Sequence, residues 1–121
     1  MFLIRNKGDS KAGLSPEEHQ QFLKDCEIYI ETLKKNGNLL AAQPLKREGV
    51  MITGTPGMFR EGPYTEITEQ IVGSYRILAS DLHEAIALAK GNPEFSYSLT
   101  AKIEIRPVKI KEETTEFVYP R

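Results

Sequence analysis

The chain has 121 residues, 40% of them hydrophobic, which is enough for one domain with a modest core and too short for two. Sixteen Lys and Arg stand against 17 Asp and Glu, a formal net charge of -1 without the basic excess that a nucleic-acid surface needs. Cys26 is the one cysteine, so neither an intramolecular disulfide nor a cysteine metal cluster can form, and a reducing, cytoplasmic setting is expected.

The opening Phe2 to Arg5 reads as a short strand. Its apolar run ends at Arg5, too soon for a signal peptide, and no apolar run approaches the roughly 20 residues that cross a bilayer. Neither secretion nor membrane insertion is therefore expected. After a polar connection, Ser15, Pro16 and Glu18 form a helix start: a cap, a first-turn proline and the third-position glutamate of a capping box. Phe22, Cys26, Tyr29, Ile30 and Leu33 recur at spacings of three and four, so they share one helical face. Lys34 and Lys35 suit the C-terminal end of the dipole, and Asn36-Gly37 supplies a left-handed stop after about six turns.

Leu39 to Gln43 is a short apolar run suited to a buried strand ending at Pro44. Val50 to Thr53, Gly54-Thr55-Pro56-Gly57 and Met58 to Arg60 predict a hairpin, with Gly and Pro making its turn. From Ile71 to Leu78 the pattern alternates, placing Ile71, Tyr75 and Ile77 on one face and Ser74 and Arg76 on the other. Asp81 and Glu84 open a second helix, in which Leu82, Ala85, Ile86 and Ala89 share a face and Gly91 with Pro93 ends the run. Leu99, Ala101, Ile103 and Ile105 alternate with Thr100, Lys102, Glu104 and Arg106 in a last strand. The segment 110–121 is read as a tail, an extra strand or an arm reaching a partner.

This order predicts an α+β domain: a split βαβ arrangement with one antiparallel sheet and two helices on one face. The second sheet face is then uncovered, and with Leu, Tyr and Val side chains expected on it, the predicted partner is a second copy of the chain in a face-to-face homodimer.

Glu61-Gly62-Pro63-Tyr64-Thr65-Glu66, followed by Glu69-Gln70-Ile71-Val72-Gly73-Ser74-Tyr75, resembles the central motif of the YCII-related family in its DGPF-type branch. Leu14 to Glu18, Leu39-Leu40-Ala41 and Glu104 to Pro107 follow as further landmarks, so the resemblance covers the chain to about residue 109. It implies a ferredoxin-like, dimeric α/β-barrel fold over 1–109. Most members of that family have no assigned reaction, and the enzymatic role proposed for it rests mainly on a His and Asp pair lining a cleft; the resemblance implies a place for that His on the first helix near Cys26, with His19 about two turns upstream. The first motif residue is Glu61 in place of Asp, and the aromatic is Tyr64.

Gly62-Pro63 reads as a tight turn with Glu61 and Tyr64 at its shoulders. Glu66 or Glu61 could serve as a general base and Tyr64 as a donor to an oxyanion, in a cleft between sheet and helices. Arg60, Arg76 and Arg106 are candidate anchors for an anionic ligand, because guanidinium matches a carboxylate bidentately. Cys26 reads as a small core hydrophobe and Asp25 as a polar-face partner for lysines. His19 and His83 lack the paired spacing of a metal site, and no metal or cofactor is expected. The leading functional expectation is a homodimer binding a small anionic or aromatic molecule. A cofactor-independent isomerase, lyase or oxygenase using Glu, Tyr and Arg is the first alternative, and a structural or regulatory partner protein the second; nucleic acid is not an expected partner.

Overall fold

The computed structural model describes residues 1–8, 11–63 and 69–120. The elements are β1 (Phe2–Lys7), α1 (Pro16–Lys35), β2 (Leu39–Pro44), β3 (Val50–Thr55), β4 (Met58–Pro63), β5 (Glu69–Ile77), α2 (Leu82–Lys90), α3 (Glu94–Tyr97) and β6 (Lys102–Ile105). Four strands form an antiparallel sheet in the order β2-β5-β1-β6, while β3 and β4 form a separate two-stranded ribbon. Both β1 and β2 run antiparallel to β5, which lies between them. They are therefore parallel to each other with α1 as the crossover, the expected split βαβ and a ferredoxin-like α+β layout.

Local chemistry sets the helix ends. The Ser15 hydroxyl accepts from the Glu18 amide while the Glu18 carboxylate accepts from the Ser15 amide, completing the capping box at α1. In α2 the Asp81 carboxylate accepts from the Glu84 amide, whereas the Glu84 carboxylate turns to Ser80 and Asn38. The two helices are joined where the Tyr29 hydroxyl donates to the Leu88 carbonyl at 2.7 Å.

The core lies between the helices and β1. Phe2 and Ile4 are buried with Ala85 and Ala89, and Val72, Tyr75, Ile77, Leu88, Ile103 and Ile105 pack around them. Alternation along β1 continues to Asn6, which is also buried. Its Oδ1 accepts from the Ser98 and Thr100 hydroxyls and the Lys7 amide, and its Nδ2 donates to Glu94. A buried amide is tolerable here because its hydrogen-bonding capacity is used.

Several sequence expectations are corrected. Arg5 pairs with Ile71 after Ile4 pairs with Gly73, so Val72 is an extra residue in a bulge. The bulge moves Ile71 to the face of Arg5, opposite Tyr75 and Ile77. It needs glycine next to it, because a Cβ on Gly73 would sit 3.2 Å from the Gln43 carbonyl oxygen. β2 is an edge strand, mostly exposed, where a buried one was expected. In α2 the buried residues are Ala85 and Ala89, while Leu82 is exposed: small side chains allow the helix close to Phe2. Leu99 is outside the last strand and fully exposed. Gly62 and Pro63 pair with Met51 and Val50 as strand residues, and the turn falls at Pro56-Gly57. Asp25 takes its hydrogen bonds from Tyr97 and Gln21, with no lysine partner among the described residues.

The open sheet face also differs in composition. Cross-strand partners share a face, which puts Leu3, Arg5, Ile71, Ser74, Arg76, Lys102 and Glu104 there, with Arg5 paired to Glu104 at 2.9 Å. Tyr75 and Val72 face the helices. The C-terminal segment forms no further strand of the sheet; it folds back on itself through a bridge between Lys111 and Val118.

Phe2→Ala is expected to lower the stability of the core by about 3–5 kcal/mol, because it removes a fully buried ring from the centre of the sheet. Urea denaturation followed by circular dichroism measures the change.

Candidate functional site

Two cavities flank β1, one at each end. The larger, about 460 Å³, is lined by Phe2, Ile77, Leu82, Ala85, Ile105 and Val108 among other apolar groups, with Arg76 and Arg106 in its wall. Strand register brings the two arginines together. Phe2 pairs with Tyr75 on one side and Ile105 on the other, so one step further along both ladders Arg76 and Arg106 flank Met1. Backbone bonds between Met1 and Arg106 hold that end, with the Met1 amino group donating to the Arg106 carbonyl at 2.6 Å.

The charge balance at this cavity is positive. No carboxylate pairs with Arg76 among the described residues, and its guanidinium, after burial, helps push the Met1 amino group below its usual pKa. Arg106 lies 3.8 Å from Glu104, a carboxylate already engaged by Arg5. Asp81 is also in the wall, but its carboxylate caps α2.

The narrower cavity, about 170 Å³, lies between α1 and the strands β2 and β5. Its apolar wall includes Ile4, Phe22, Ile30 and Val72, and its polar groups include the Cys26 thiol, the Tyr75 phenol and the Glu94 carboxylate. Glu94 is tied at 2.8 Å to Lys11, whose ammonium also lies 4.9 Å from the centre of the Phe22 ring. Burial, then the Glu94 charge, pushes the Cys26 thiol up to about 11. Burial likewise pushes the Tyr75 phenol up to about 12, with the Cys26 sulfur adding to it, and raises Tyr29 further. The thiol and both phenols are therefore protonated at neutral pH. Near them Asn92 is buried, its Oδ1 accepting from the Glu94 amide.

The residues predicted from sequence separate accordingly. Arg76 and Arg106 share the larger cavity. Arg60 and Glu61 are exposed on the β3–β4 ribbon and line neither cavity. Tyr64 and Glu66 lie outside the described residues. His19 is exposed on the first turns of α1, 6.4 Å ring to ring from Phe22. Glu94 and Asn92 were not singled out by sequence; the usable signal was Asn92-Pro93-Glu94, a proline and an acid opening a helix only four residues long.

A family model described as the YCII-related domain matches residues 1–109. The chain belongs to the YCII-related family. No curated protein matches it. In this YCII-related chain Cys26 lines the cleft between helix and sheet with its thiol protonated at neutral pH.

The Cys26 shift has a kinetic signature. Alkylation by iodoacetamide is expected to be slow at neutral pH and to climb about tenfold per pH unit without levelling until near the folded thiol's pKa. An unfolded thiol ionises first, near its usual value of about 8.5. The folded group's contribution is thus complete below that pH and is lost as pH rises toward 11. Quenched alkylation followed by mass spectrometry over an alkaline pH series measures the profile; a plateau below pH 9 would contradict the burial of the thiol.

Proposed function

We propose that this protein is a cytoplasmic, homodimeric small-molecule-binding member of the DGPF-type branch, with residues 1–109 as its domain, and that its ligand is an anion with an aromatic or otherwise apolar body. One observation carries the ligand class: Arg76 and Arg106 both line the mouth of an apolar cavity of about 460 Å³, and Arg76 has no carboxylate partner among the described residues. An anionic group placed between Arg76 and Arg106 gains charge-assisted hydrogen bonds. The apolar part of the same molecule covers Phe2, Leu82 and Val108. An apolar molecule without the anion would leave the guanidinium beside it partly desolvated, so the charge sets the preference.

No helix of the described residues is long and apolar enough to cross a membrane. Binding is favoured over catalysis because the thiol and phenol of the narrower cleft are held protonated, and its carboxylate is committed to Lys11 and Asn6.

Anilinonaphthalene sulfonate, an aromatic anion, is the probe. Fluorescence titration should show saturable binding, weakened about tenfold or more by Arg76→Gln with Arg106→Gln. Arg60→Gln, on the ribbon, should leave the affinity unchanged. Equal affinity of the wild type and the double variant would remove the cavity from consideration.

A further inference from the structure

The β3–β4 ribbon has no packing of its own. Val50, Ile52, Met58 and Phe59 are 67%, 63%, 76% and 62% exposed, and every described side chain of the ribbon is on the surface. From Val50 to Phe59 the sequence contains no charged residue. Register places Val50, Ile52 and Phe59 on one face, together with Glu61, and Met51, Thr53, Thr55, Met58 and Arg60 on the other. The register is well specified: Gly54 has φ of +114°, and a Cβ there would lie 2.3 Å from the Met58 carbonyl oxygen. A two-stranded hairpin alone in water is marginally stable at best, and an uncharged, β-prone one invites indiscriminate strand pairing.

The whole chain shows the same surplus. Its accessible surface is 9155 Å². A compact monomer of this mass exposes about 6,600 Å², leaving an excess of about 2,500 Å². An obligate dimer buries on the order of 1,000–2,500 Å² per subunit, so the excess is of the size that one such contact removes.

We propose that the β3–β4 ribbon is a clasp that lays its Val50, Ile52 and Phe59 face on a second copy of this chain. The proposal rests on the homodimer reading and supplies the contact that forms it. Three features favour a second copy over an unrelated partner. The formal net charge of -1 offers almost no repulsion between copies. One chain leaves two surfaces uncovered, the ribbon and the open sheet face, and a two-fold pairing can engage matching surfaces on both subunits at once. The area excess is also carried by every copy, so mutual covering relieves it on both sides.

Sedimentation equilibrium of the wild type and of the Ile52→Lys, Phe59→Lys double variant tests the idea. The wild type should be a dimer at micromolar concentration, and the variant should need about a hundredfold higher concentration to pair. Far-UV circular dichroism should show the helices unchanged, since the ribbon contributes nothing to the core. A variant that dimerises as tightly as the wild type overturns the clasp and leaves the dimer standing; a monomeric wild type overturns both. Hydrogen exchange on the wild type decides the matter should the variant misfold. Protection of amides 50–63 that disappears on dilution through the dimer midpoint supports the clasp, whereas protection that survives dilution, or is never present, overturns it.

Discussion

Alternation along a single six-residue strand organises this molecule. Phe2, Ile4 and Asn6 point beneath the helices, Leu3 and Arg5 point away, and hydrogen-bond ladders on both sides of β1 pass that phase to β5 and β6. Burial of Phe2 and Ile4 draws α2 onto the sheet through its alanines. The polar end of the same row, Asn6, anchors Ser98, Thr100 and Glu94 and so sets the segment between α2 and β6. Both cavities inherit their positions from this strand. One begins where the ladders run past Phe2 to the arginines, and the other includes Glu94, which Asn6 holds.

The two cavities differ in electrostatics more than in shape. In the narrower cleft every described ionisable group is either neutral at pH 7 or paired: the thiol and phenol keep their protons, and Glu94 is matched by Lys11. Desolvation makes such pairing necessary, because an uncompensated charge at that depth would cost several kcal/mol. The larger cavity is partly open, so a guanidinium can remain there without a carboxylate and still be solvated. In the proposed reading Arg76 is the recognition element, a charge that stays solvated at the cavity mouth and is better satisfied by an anion.

Local signals made much of the fold legible in the sequence. The capping box at Ser15 and the three-and-four spacing through Leu33 are properties of α1 alone, and the alternation of Ile103 and Ile105 belongs to β6 alone. The bulge at Val72 was hidden because a one-residue shift depends on the facing strand; Gly73 was its trace, meaningful only once β2 is known to pass within van der Waals distance. The helical spacing put Leu82, Ala85, Ile86 and Ala89 on one face of α2, of which the structure buries only the alanines. Close approach to the Phe2 ring instead selected alanines, a matter of interhelical and sheet distance that the helix sequence does not encode. The same distinction holds at the site. Arg76 and Arg106 could be recognised as polar strand residues, but their meeting across Met1 requires the register of three strands. Cys26 could be placed on the inner face of α1, yet its raised pKa comes first from burial and then from Glu94, which is 68 positions away and lies on a helix too short to show periodicity.

The ribbon presents the opposite relation between sequence and structure: its local signals are clear and its global role is not contained in one chain. Pro56-Gly57 and the flanking β-prone residues specify a hairpin, and the pairing follows them. Charged residues bracket the uncharged stretch, with Lys46, Arg47 and Glu48 before it and Arg60 and Glu61 after it, a placement that discourages uncontrolled strand pairing. The stretch between them nevertheless keeps Val, Met, Ile, Met and Phe where threonine or lysine would satisfy the same backbone. Apolar side chains that carry a solubility cost on an element outside the core are what the proposed clasp covers.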